Sequence, residues 1–147
     1  MSNQNKNFIH DQEKLYRSIE ADKRLYKNID GKLYLSSQAF CDRQEQPSVD
    51  RAELCNHDPK HTKKSKKAGV VYLLTHEVRN SKIFSQHPDG DVNYQLDAKA
   101  APSPKNQAHA LIIGKPKYKS DRAFKKVQER LAILAAKNGW CLMPDEE

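Results

Sequence analysis

The chain has 147 residues, 37% of them hydrophobic and 31% charged, with 26 Lys and Arg against 19 Asp and Glu for a formal net charge of +7. That length and apolar content suit one domain with a modest core rather than full disorder, and the basic balance points to anionic partners, nucleic acid first and an acidic protein second. The longest apolar runs, GVVYLL and ALIIG, fall far short of the ~18 residues that span a bilayer, so no membrane partner is expected.

Residues 1–7 are polar and read as a disordered tail, leaving one domain over 8–147. The stretch MSNQNKNFIHDQEK lacks the apolar segment and cleavage site of a secretory signal. Asp11 is placed to cap a helix running to Lys27, because Leu15, Ile19 and Tyr26 share a helical face. Asp30–Gly31 is a turn signal leading into a strand from Lys32, with Leu33 and Leu35 on one side. Pro47 suits the opening of a short helix over SVDRAELC, and Pro59 its end. A flexible basic loop is expected over 58–68, since KHTKKSKK contains no apolar residue.

GVVYLLTHEV, from Gly69, is a continuous apolar run and reads as a central strand. SQHPDGD is turn-rich, and VNYQLDA alternates as a half-exposed strand should, with Val92, Tyr94 and Leu96 on one face. HALIIG, from His109, is the fourth strand. The last helix begins at a Ser120 or Asp121 cap. Phe124, Val127, Leu131 and Leu134 form its apolar stripe, and Gly139 its left-handed stop. The expected fold is α+β, with a single sheet of about four mostly antiparallel strands flanked by an N-terminal and a C-terminal helix.

Three basic blocks are candidates for gripping phosphate. The first is Lys63, Lys64, Lys66 and Lys67, and the second is Lys115, Lys117 and Lys119 with Tyr118, whose ring is a stacking platform for an unpaired base. The third is the face of the last helix bearing Arg122, Lys126, Arg130 and Lys137, into which Ile133 intrudes.

His76 closes one apolar strand and His109 opens another. Were those strands antiparallel neighbours, the two imidazoles would share a rim as general base and general acid, with Arg79 holding a phosphate and Asn106 orienting a ring. The competing reading of His109 is a strand-opening residue bonded to backbone.

CNHDPKH brings Cys55, His57 and His61 together, with Cys41 upstream. These are zinc-type ligands, but the spacing is not that of two clear pairs, so no metal is expected. Asp89, Asp97 and Lys99 imitate a magnesium-dependent nuclease string, though HPDG serves equally as a turn. The five glycines form no phosphate-binding loop, and there is no G-x-S-x-G, which argues against an NTPase, a nicotinamide enzyme or an α/β-hydrolase. No cofactor is expected. Three cysteines make no disulfide framework and point to free thiols in a reducing cytoplasm.

The leading expectation is a small cytoplasmic protein that binds nucleic acid, RNA or DNA, or another polyanion through its Lys/Arg surface, without catalysis, as a subunit of a larger assembly. One alternative is a metal-independent RNase or toxin-like nuclease using His76 and His109. The other is a protein–protein adaptor whose basic face meets an acidic partner.

Overall fold

The structure is a computed structural model and describes residues 7–42 and 44–144. The expected disordered tail, apart from Asn7, lies outside these residues. In chain order the elements are β1 (Lys14–Ile19), β2 (Tyr26–Ile29), β3 (Lys32–Leu35), β4 (Ser48–Arg51), β5 (Gly69–Leu74), α1 (Thr75–Arg79), β6 (Lys82–Ser85), β7 (Val92–Ala100), β8 (His109–Lys115), α2 (Asp121–Asn138) and β9 (Trp140–Leu142). Seven strands form one antiparallel sheet in the order β6-β7-β8-β4-β1-β5-β9, and β2 and β3 form a separate hairpin.

The expected four-strand sheet between two terminal helices is therefore corrected. The N-terminal helix does not exist: its residues supply β1 and β2. Leu15 and Ile19, four apart, share a face in a helix and equally in a strand, so their spacing does not separate the two. What decides is Tyr16, which is buried on the opposite face from Leu15 and Ile19. A chain apolar on both sides belongs inside a sheet, and β1 indeed lies between β4 and β5.

The expected short helix over 48–55 is also corrected. Ser48–Arg51 is strand β4, followed by a single 3-10 turn at Ala52–Leu54, and Pro59 opens another such turn, Pro59–His61, rather than ending a helix. GVVYLL is buried on both faces as β5, next to the edge strand β9, but the chain turns into helix α1 at Thr75.

The alternation in β7 holds: Tyr94, Leu96 and Ala98 point into the core. Asp30 and Gly31 both have positive φ, 53° and 78°, as a tight two-residue hairpin turn needs. Helix α2 is capped by the Ser120 side chain, which accepts from the Ala123 N–H at 3.1 Å, and ends at Gly139 with φ 81°. Its stripe of Phe124, Val127, Leu131 and Ala135 is buried against Leu15, Ile19, Val71, Leu73, Leu96 and Ile112. Trp140 opens β9, and its ring meets Tyr26 edge-on at 5.1 Å.

The other face of the sheet is covered differently. There the segment between β4 and β5 lies over Tyr16 and Val70, burying Ala52 and Cys55 with them. This segment carries the expected basic loop. No helix among the described residues is long and apolar enough to cross a membrane.

Candidate functional site

β1 and β4 are paired only at Leu15↔Arg51 and Tyr16↔Asp50. Beyond those pairs they part, and a cleft of about 640 Å³ occupies the gap. Its walls come from β1 (Tyr16, Arg17, Ser18), β4 (Ser48, Val49, Asp50), the segment Gln38–Asp42, the segment His61–Lys64, and the approach to β8 at Asn106 and His109.

Arg17 bridges the parted strands. It donates from Nη1 to the Ser48 carbonyl at 2.8 Å and from Nε to the Ala39 carbonyl at 3.0 Å, and its fork grips Asp42 at 2.7 and 3.0 Å. Burial alone would raise the Asp42 carboxyl. The bonds and charge of Arg17, with the Ser48 N–H at 2.7 Å, overcome that and hold it below the usual carboxylate range.

Asp50 and His109 are direct cross-strand partners, and Ser48 lies two residues from Asp50 on the same face. His109 Nδ1 is 2.9 Å from the Ala101 carbonyl, and its Nε2 is 2.7 Å from Ser48 Oγ. A carbonyl only accepts, so in the neutral ring Nδ1 carries the proton and Nε2 receives the hydroxyl of Ser48.

A second network adjoins the first. Asn106 donates from Nδ2 to Asp50 Oδ1 at 2.8 Å, and Thr62 Oγ1 donates to Asp50 Oδ2 at 2.8 Å. His61 Nε2 lies 3.2 Å from Asn106 Oδ1 and 3.9 Å from Asp50 Oδ2. The Tyr16 phenol, in the same wall, is pushed up to about 12, chiefly by burial with smaller contributions from Cys141, Cys55 and Asp58. It stays protonated at neutral pH.

The site brings together some of the residues expected from sequence and separates others. His109 lines the cleft, but His76 does not. β5 and β8 are not neighbours, since β1 and β4 lie between them. Three strand spacings, about 14 Å, therefore separate β8, which carries His109, from β5, which leads into the helix that carries His76. His76 is exposed on α1, with its backbone N–H on the Asp11 carbonyl.

The imidazole that shares the cleft with His109 is His61. Asn106 does orient a ring, and the ring is that of His61. Arg79 is taken by Asp97 at 2.8 Å and by Asp11 and the Ile9 carbonyl at 2.7 Å each, so it fastens the N-terminal segment to β7. Asp89 is bound to Lys119 at 3.0 Å, in the turn before β7, while Asp97 lies well along that strand. The nuclease string does not converge.

The zinc candidates also part company. Cys41 and His61 line the cleft, while Cys55 is buried with its Sγ donating to the Arg51 carbonyl at 3.3 Å, and His57 is exposed. Among the described residues no three His, Cys, Asp or Glu side chains are grouped to hold a metal ion.

Tyr118 is turned inward, against Tyr94 and Phe124, beneath Gly114, whose missing side chain makes room for it. Its phenol is raised by burial, and its ring is half-buried against the core. Of the helix residues, Lys126 donates to the Phe84 carbonyl at 3.1 Å and Lys137 pairs with Glu77 at the far end of α2, while Arg122 is exposed and Arg130 half-buried.

Ser48, Asp50, Arg17 and Thr62 were not signalled by the sequence reading. A strand reading of SVDR would have put Ser48 and Asp50 on one face, but Pro47 drew that stretch toward a helix. No family model, no curated protein and no solved structure matches this chain.

Proposed function

We propose that the protein binds nucleic acid by one end of its sheet, with the cleft between β1 and β4 at the centre of contact. The observation that supports this is topological. Antiparallel pairing brings the end of β8, at Lys115, to the same end of the sheet as the start of β5, at Gly69. Lys63, Lys64, Lys66 and Lys67 precede β5 there, and Lys117 and Lys119 follow β8 there. The first turn of α2, with Arg122, begins at that end too.

The cleft's own lining is balanced, with Arg17, Lys63 and Lys64 against Glu20, Asp42 and Asp50. Those carboxylates already have partners: Arg17 for Asp42, Thr62 and Asn106 for Asp50, and Ser65 for Glu20. The attraction for phosphate comes from the lysines at the rim. Lys63, Lys64, Lys66, Lys67, Lys115 and Lys117 make no ion pair among the described residues. Phosphates that displace counterions from such a rim give salt-dependent affinity with little sequence preference. The three cysteines are free, in keeping with a reducing cytoplasm.

The test is fluorescence anisotropy with a mixed-sequence single-stranded oligonucleotide across a salt series. Changing Lys63, Lys64, Lys66 and Lys67 together to Glu is expected to flatten the log–log salt slope by about 3 and to weaken binding more than tenfold. Unchanged affinity would refute the proposal. Equal affinity for polyglutamate would point instead to an acidic protein partner.

A further inference from the structure

The cleft holds an arrangement that binding alone does not use. Ser48 Oγ donates to a ring nitrogen whose acceptor state is set by the bond on the other side of the ring, from Nδ1 to the Ala101 carbonyl. A hydroxyl is a poor nucleophile until a base within hydrogen-bond reach takes its proton, and a base serves reliably only when a third group fixes its tautomer. Ser48, His109 and the Ala101 carbonyl supply those three parts, at 2.7 and 2.9 Å. The ring is further confined by its strand, since His109 pairs with Asp50 in β4 and Ala110 pairs with Ala100 in β7.

The same cleft contains a second imidazole, His61, and two lysines that make no ion pair among the described residues, Lys63 and Lys64, while Arg17 is held by Asp42 and the carboxylates Glu20, Asp42 and Asp50 have protein partners. Arg17 sits against the Ser48 carbonyl at 2.8 Å, beside the hydroxyl's own residue. Cations around a nucleophile suit a reaction in which negative charge is spread over non-bridging oxygens, and they favour an anionic substrate.

We infer that Ser48 is a nucleophile for phosphodiester cleavage, with His109 as its base and His61 as the acid for the leaving group. The choice of phosphodiester rests on the nucleic-acid reading above. As the Ser48 Oγ–P bond forms, the hydroxyl proton passes to His109 Nε2. The bond from phosphorus to one ester oxygen breaks with its electron pair, and that oxygen takes a proton from the imidazolium form of His61. The chain then carries a serine phosphodiester. Water next attacks phosphorus and gives one proton to His61, the P–Oγ bond breaks, and Oγ recovers the proton held on His109. The balance is one diester and one water consumed, and one monoester and one alcohol released. No metal or redox partner enters this balance.

Neither histidine would substitute for the serine in this scheme. Because the nucleophile is the protein's own hydroxyl, the substrate needs no 2′-hydroxyl, and single-stranded DNA is cleaved as well as RNA. Cleavage that used the 2′-hydroxyl would be confined to RNA and would not need Ser48.

The test uses the full chain with end-labelled single-stranded DNA and RNA of the same sequence, and with bis(p-nitrophenyl) phosphate as a probe that needs no nucleic-acid grip. Ser48→Ala, His109→Gln and His61→Gln are compared with wild type, and Ser48→Thr keeps the hydroxyl as a control for folding. Each sample is also checked for thermal melting and oligonucleotide binding.

Wild type is expected to hydrolyse both oligonucleotides and the probe, with Ser48→Ala and His109→Gln slower by about 100-fold or more and still binding. Denatured wild type quenched during turnover should carry a phosphodiester on the Ser48 peptide. Wild type that binds the oligonucleotides but hydrolyses none of the three substrates would overturn this inference and leave the binding proposal standing. Hydrolysis of the probe without oligonucleotide binding would uphold the Ser48 centre and sink the nucleic-acid reading. RNA-only cleavage that survives in Ser48→Ala would overturn the assignment of the nucleophile.

Discussion

At one end of β4, Arg51 is 3% exposed and meets Glu13, 2% exposed, through Nε at 3.0 Å and Nη2 at 3.1 Å, with Nη2 also on the Phe8 carbonyl at 2.8 Å. At the other end of the same four-residue strand, Ser48 and Asp50 hold polar networks that face a cleft. The first network is closed, because both carboxylate oxygens and the guanidinium are occupied by protein and water is shut out. The second is equally well bonded but its outer members reach solvent; the His61 side chain is 41% exposed. A sealed ion pair holds segments together and has no spare valence for a ligand. A network that ends at water can exchange that water for a substrate. This contrast sets a sealed, structural end of the sheet against the open end at which binding is proposed.

The largest expected effect falls on the closed end. Arg51→Ala leaves the Glu13 carboxylate buried and unpaired, which is expected to cost about 3–5 kcal/mol in urea unfolding. The paired replacement Glu13→Leu with Arg51→Met is expected to recover most of that loss, because two apolar groups carry no unpaired charge into the core. A single Arg51→Ala change that unfolds like wild type would erase the contrast from the structural side.

A smaller loss is expected at the open end. Asp50→Asn keeps the shape but weakens the bonds from Thr62 and Asn106, and should cost on the order of 1–2 kcal/mol. Its effect on oligonucleotide hydrolysis should exceed its effect on stability, because His61 is oriented through Asn106. A stability loss as large as that of Arg51→Ala would mean that both ends are equally structural.

Much of what surrounds these networks was legible in the sequence. The α2 stripe and its caps needed only local rules, as did the Asp30–Gly31 turn and the alternation along β7. Where two periodicities coincide, local rules fail. Leu15 and Ile19 satisfy both a helix and a strand, and only the burial of Tyr16, a fact of tertiary structure, chooses between them. KIFS and WCL, the sources of β6 and β9, are too short to announce themselves; both become edge strands, β6 by a hairpin with β7 and β9 by pairing with the distant β5.

The candidate site shows the same division. His109 was visible because it stands at the start of an apolar run. Its partner was not, because which strand lies beside which depends on long-range pairing. The assumption that β5 adjoins β8 chose His76, whereas the chain between β4 and β5 folds over the sheet and delivers His61. The basic loop was legible as composition, but its position beside the cleft was not.

Acid tests the bridge across the parted strands. Asp42 has its carboxyl lowered in the folded chain relative to an unfolded value of about 3.9. Its stabilising contribution is therefore complete above that value and is lost as pH falls through the lowered folded value. Urea midpoints of wild type and Asp42→Asn are expected to differ at pH 6 and to converge toward pH 3. A difference that stays constant would show that the Arg17–Asp42 pair does not couple to protons.

The smallest effect is on thiol reactivity. Burial, reinforced by the Asp50 carboxylate, pushes the Cys55 thiol up to about 11, and burial also raises Cys141, while Cys41 is exposed at the cleft wall. At pH 8 in native buffer, iodoacetamide should modify Cys41 first and reach the other two only in urea. Bound oligonucleotide should slow the reaction at Cys41. Equal rates at all three cysteines in the native protein would contradict the burial on which the cleft wall depends.

Hydrogen–deuterium exchange of the full chain, with and without a single-stranded oligonucleotide at low salt, addresses the division of the sheet most directly. Added protection is expected in the peptides covering 59–68, 47–51 and 106–117, and none in those covering 8–13 and 75–81 at the opposite end. Protection concentrated at 8–13 and 75–81, or no protection at oligonucleotide concentrations that saturate binding, would contradict that division.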